Sequence, residues 1–120
     1  DLGGHDVLAY GAEPWRFRVG TRWETARVQP VLRANNGEML RAAAVAGRGL
    51  CILPSFIAAP ALEVGALEVL LRDHPLEEAA LHAVMPPGRA ATGRVRALVE
   101  FLAQRFGPDP SWDPCWMHLP

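Results

Sequence analysis

The stretch between Asn35 and Pro54 constrains the fold more than any other part of the chain. Asn35-Asn36-Gly37-Glu38 is a helix start. An Asn three residues before a Glu can exchange side-chain and backbone hydrogen bonds with it as a capping box, so Asn35 is the expected N-cap. The helix should run to about Ala46 and stop at Gly47 and Gly49, because glycine enters left-handed backbone without steric cost. Its inner stripe of Leu40, Ala43, Ala44 and Gly47 is small enough to lie close against a sheet. Leu50-Cys51-Ile52-Leu53 follows as a buried strand ended by Pro54, with Gly47-Arg48-Gly49 as the tight turn between helix and strand.

The flanks supply the rest of the framework. Residues 6–10 form a short apolar run that suits a buried strand. In Trp15-Arg16-Phe17-Arg18-Val19 apolar residues alternate with arginine, the period of a half-buried strand, and Gly20-Thr21 is a glycine-first two-residue turn. Residues 22–28 then form the return strand of an antiparallel hairpin. Pro30 interrupts residues 28–34 and assigns them to a sheet edge or a bulge, since proline cannot donate to a ladder. Beyond Pro54, a short helix fits residues 60–64, with Pro60 in its first turn and Gly65 past its end. Leu67, Val69 and Leu71 alternate as a strand, the polar residues 72–80 read as a crossover, and residues 81–85 read as a further strand. Thr92 caps a last helix whose Val95, Leu98, Val99, Leu102 and Phe106 share one apolar face, and Gly107-Pro108 stops it. Residues 108–120 form an irregular tail. Strands alternating with helices place the chain in the α/β class, with parallel pairing through the helices and an antiparallel hairpin near the start.

Composition narrows the function classes. At 120 residues the chain holds one domain's worth of sequence, and its balance of half hydrophobic to a fifth charged residues is that of a soluble globular protein. No run approaches the roughly eighteen apolar residues of a membrane span. The net charge of -1 gives no electrostatic footprint for nucleic acid, although every basic residue is arginine. The opening Asp1-Leu2-Gly3-Gly4-His5 has no secretory-signal pattern and no initiating Met, which predicts a cytoplasmic location and a chain that is part of something longer. Cys51 and Cys115 lie far apart in unlike contexts, which argues against a disulfide framework.

Few residues offer chemistry. Cys51 lies inside an apolar run, where a free cysteine is more often a small core residue than a nucleophile. His82 alternates with Leu81 and Ala83 and has no fixed acidic neighbour, so a structural role is favoured over a catalytic pairing with Cys51. Cys115 and His118 are two of the three or four ligands a zinc site needs, and no pattern supplies the others, so no metal or cofactor is expected. Glu77-Glu78 reads as solvated surface. What remains is the helix start at Asn35-Asn36-Gly37, whose free amides and dipole suit an anion and whose glycine lets a ligand come close, weighed against plain capping. Phe56 would lie near the carboxyl end of a strand, where open α/β sheets hold ligands.

The ordered stretch from Arg33 to Pro54 closely resembles the helix and following strand of the effector-binding domain of LysR-type transcriptional regulators. His5 to Tyr10 with Trp15-Arg16-Phe17, Ala61 to Leu67, and Arg94 to Leu102 resemble that domain's flanking elements in the same order. The resemblance implies a periplasmic-binding-protein-like (type 2) lobe, incomplete, with an N-terminal antiparallel hairpin and a C-terminal helix. Residues 1–71 would be most of the second lobe, 72–80 the crossover, and 81–107 the return strand and helix of the first. It further implies an effector site at Ala34, Asn35, Asn36 and Gly37, with Pro54 and Phe56 behind them, for a small organic acid or other anion. No catalysis is implied. DNA would be reached only through a helix-turn-helix domain absent from this chain, and self-association is expected through the apolar face of the last helix. Arg48 departs from the family pattern, which has a small or apolar residue there. The alternatives are a piece of a periplasmic solute receptor and a small Cys51/His82 hydrolase.

Overall fold

Val7, Leu8 and Ala9 are each at most 2% exposed, so the strand Val7–Tyr10 (β1) has protein on both faces and belongs at the centre of a sheet. The computed structural model, which describes residues 2–77, 79–86 and 92–107, pairs it in parallel with Pro30–Ala34 (β4) on one side and Leu50–Cys51 (β5) on the other. Pro30 opens an edge strand, and the register with β1 shifts beside it, so that Val7 faces Pro30 while Leu8 faces Leu32. Edge position and irregularity thus occur together, and the extra residue, Val31, is 60% exposed.

The hairpin forms as expected from Arg16–Val19 (β2) and Arg22–Thr25 (β3), in register from Arg16 opposite Thr25 to Val19 opposite Arg22. Gly20 supplies the positive φ, +60°, that a glycine-first turn requires. The return strand ends at Thr25 rather than residue 28, after which Ala26 N–H still donates to Trp15 O at 2.8 Å. Trp15 precedes the strand instead of opening it and is only 6% exposed, with Phe17 edge-on to it at 6.4 Å.

The first helix, Gly37–Val45 (α1), crosses over β1 from β4 to β5 and seats Leu40 with no accessible surface. Its N-cap is Asn36, one residue later than expected. Asn36 is extended, with φ -133°, and its Oδ1 accepts from the amides of Glu38 at 2.9 Å and Met39 at 3.1 Å. Glu38 therefore stands too early in the helix to reach back to the cap, and it pairs with Arg41 instead. Gly47, at φ +71°, and Gly49, at φ +140°, make the turn into β5 as expected. Only residues 50–51 of the expected strand enter the sheet.

The second helix, Ser55–Glu63 (α2), begins five residues before its expected start and carries Pro60 inside it. Burial of Ala59 and Ala61 and a bond from Arg41 Nη1 to Ile57 O, 3.1 Å, hold it against α1 in spite of the proline. The strands expected at residues 67–71 and 81–85 are both corrected, because those segments are irregular. Alternating apolar residues make a strand only where a sheet edge receives them, and among the described residues neither segment pairs with one. Leu71 has φ +55°, which breaks an extended run, while Leu81 and Val84 are 78% and 91% exposed.

The chain divides into two units, Asp1–Glu78 and Ala79–Pro120. The second contains the closing helix, Gly93–Phe106 (α3), whose N-cap Thr92 makes no side-chain capping bond and whose C-cap is Gly107. No residue of α3 is buried. Of the apolar face expected on it, Val99, Leu102 and Phe106 are half-buried and Val95 and Leu98 are exposed. The expected tail at residues 108–120 lies outside the described residues.

Candidate functional site

All three strands of the parallel sheet point their carboxyl ends one way, so α1 and α2, which follow β4 and β5, start at the same sheet edge. There Gly11 and Ala12, just past β1, and Arg33, Ala34 and Asn35, at the end of β4, line an open depression of about 550 Å³. Two hydrogen bonds tie its walls together. Gly11 N–H donates to Ala34 O at 2.9 Å, and Arg33 Nη1 donates to Gly11 O at 2.7 Å. Ligands of open α/β sheets settle at such carboxyl edges because backbone amides and loop side chains converge there.

Of the residues singled out from the sequence, Ala34 and Asn35 line this depression, and Asn36 and Gly37 follow them into α1. Asn36 already satisfies the Glu38 and Met39 amides, which leaves the earliest amide of the helix, that of Gly37, without an intrahelical acceptor. Gly37 itself is buried, and a Cβ there would lie 2.5 Å from Ile57 Cδ1. The missing side chain thus serves close packing of α1 on α2. Pro54 caps α2 at the same edge, and Phe56, 58% exposed in its first turn, is not a core residue.

Sequence reasoning overlooked Gly11, Ala12 and Arg33. Arg33 reads as an exposed residue of an edge strand, and nothing local says that its guanidinium folds over the end of β1. That requires knowing that β1 and β4 are neighbours. A second hollow, of about 410 Å³, lies at the foot of the hairpin, with Trp15, Ala26, Arg27, Pro30 and Arg33 in its lining.

The remaining candidates do not assemble. Cys51 is half-buried, and burial pushes its thiol up from the ordinary value, the opposite of what a thiolate nucleophile needs. His82 is exposed and belongs to the second unit. Among the described residues no three His, Cys, Asp or Glu side chains cluster as metal ligands, while Cys115 and His118 lie outside them. Among the described residues no helix is long and apolar enough to cross a membrane.

A family model of the LysR substrate binding domain matches residues 1–107. The chain belongs to this family. As a LysR substrate-binding domain it carries the periplasmic-binding-protein-like fold that the family implies, and the family is one of transcriptional regulators rather than enzymes. The chain is 33% identical over 109 residues, 89% of its length, to the HTH-type transcriptional regulator PtxR of Pseudomonas aeruginosa. It is 29% identical over 98 residues, 82% of its length, to an HTH-type transcriptional regulator of Xanthomonas campestris pv. campestris. These alignments cover 34% and 28% of the two relatives, so this LysR substrate-binding chain spans about a third of the length of the curated relatives it matches. No solved structure gives a significant match.

Proposed function

We propose that the chain is the effector-sensing part of a cytoplasmic LysR-type transcriptional regulator, that it has no catalytic role, and that the whole protein switches transcription when a small metabolite binds. The observation that carries this reading is the family match over residues 1–107. The depression at the carboxyl edge, lined by Ala34 and Asn35 beside the start of α1, agrees with it. Residues 1–71 supply most of one lobe, 72–80 cross over, and 81–107 return to the other. The effector, a small organic acid or similar anion, sits against Ala34, Asn35, Asn36 and Gly37, with Pro54 and Phe56 as apolar neighbours. Effector binding shifts the arrangement of subunits and, through it, a separate DNA-binding domain. Subunits associate in part through the apolar surface of α3.

The test uses the complete gene product. Small organic acids that raise its melting temperature should also change its affinity for its own promoter DNA, measured by fluorescence anisotropy at fixed salt. Promoter affinity that stays constant across every stabilising compound would count against effector sensing.

A further inference from the structure

Arg33 is held by a neutral acceptor. Its Nη1 donates to Gly11 O at 2.7 Å, and among the described residues carboxylates pair with Arg16 and Arg41 but not with Arg33. A guanidinium has five N–H donors in a planar fork, so most of its donors are uncommitted while one bond fixes its place over the end of β1. With it Gly11, Ala12, Ala34 and Asn35 line the depression, small apolar residues beside one side-chain amide residue. A fixed cationic fork beside small apolar groups is complementary to a planar carboxylate on a compact hydrocarbon body, since arginine meets a carboxylate with two parallel bonds.

We infer that Arg33 determines the ligand class of this site: it binds the carboxylate of a small organic acid whose apolar body rests on Ala12 and Ala34. The inference rests on the effector-sensing reading and adds to it a residue and a selectivity. Arg33 also ties the two walls of the depression together by its bond to Gly11 O, so ligand and loop share one side chain.

The probe is sodium benzoate, titrated into the ¹⁵N-labelled chain at constant ionic strength and compared with benzamide and inorganic phosphate. Benzoate should move the amide resonances of Gly11, Ala12 and Asn35, with benzamide and phosphate at least tenfold less effective. Arg33→Gln should weaken benzoate binding about tenfold or more, and Arg33→Lys, which keeps the charge but loses the fork, should fall between. The rest of each variant's spectrum reports whether it folds. If Arg33→Gln does not fold, the lysine variant and the benzoate-to-benzamide comparison in the unaltered chain decide the matter. The inference is overturned if benzamide or phosphate matches benzoate, if a folded variant keeps full benzoate affinity, or if benzoate leaves those three amides unmoved. A neutral compound that binds this edge and alters promoter affinity would remove the Arg33 assignment and leave effector sensing intact. Benzoate held by Arg33 with no compound ever altering promoter affinity would do the reverse.

Discussion

At Gly49 the backbone has φ +140°, and an added Cβ would lie 2.4 Å from the carbonyl oxygen of Asp6. That oxygen accepts the Leu50 amide at 2.9 Å and so seats β5 beside β1. Gly47 makes the same turn at φ +71° with nothing within 4 Å of its missing side chain. The two glycines therefore answer different demands, one a close approach of backbone to backbone and the other only a left-handed conformation. Gly47→Ala should cost about 1 kcal/mol, whereas Gly49→Ala, which adds a backbone collision to its strain, should cost roughly 3 kcal/mol or more. Urea unfolding of both variants checks this, and equal losses would show that the Asp6 contact does not constrain the turn.

At the scale of the element, the start of α1 depends on which asparagine caps it. Asn36 Oδ1 holds two amides of the first turn, while Asn35 is a neighbour of the depression. Asn36→Ala should lower stability by about 1 kcal/mol and Asn35→Ala should leave it nearly unchanged. Chemical denaturation of the two variants separates them, and a larger loss at Asn35 would return the cap to the earlier residue. The capping-box pattern falls one residue early because Asn35 and Asn36 are both competent caps and local spacing favours the first. The buried contact of Gly37 with Ile57 belongs to another helix, so it cannot enter a local pattern. The same reasoning covers α2, where local pattern alone places Pro60 in the first turn. Tertiary packing of Ala59 and Ala61 extends the helix through it, against a local penalty of about 3 kcal/mol.

For the molecule as a whole, the core among the described residues is small and is built around Val7, Leu8, Trp15 and Leu40. Large apolar side chains remain in water on α3, with Leu98 57% and Phe101 60% exposed. Burying a side chain of that size contributes about 1.5–3 kcal/mol, so two or three of them on a shared surface can drive association. Sedimentation velocity at micromolar concentration should find species heavier than the 13.1 kDa chain, and Leu98→Glu together with Phe101→Glu should shift them toward the monomer. A clean monomer in the unaltered chain would remove α3 as an association surface.

The sequence by itself determined the elements whose cause is local. The alternation and glycine-first turn of the hairpin, the glycines at 47 and 49 and the limits of α3 from Thr92 to Gly107 all follow from a few adjacent residues. Pro30 likewise marked its strand for the sheet edge, because a missing N–H excludes a central place wherever the sheet lies. The ordered resemblance from Arg33 to Pro54 points to the family from residue order alone. Tertiary structure alone decided whether the alternating residues at 67–71 and 81–85 would meet a sheet edge, and that Gly37 serves a second helix. It also decided that Arg33 reaches across to Gly11. Each of these depends on which strand or helix lies beside which, and chain neighbours carry no information about that because the partners are brought together only when β1 takes the centre of the sheet.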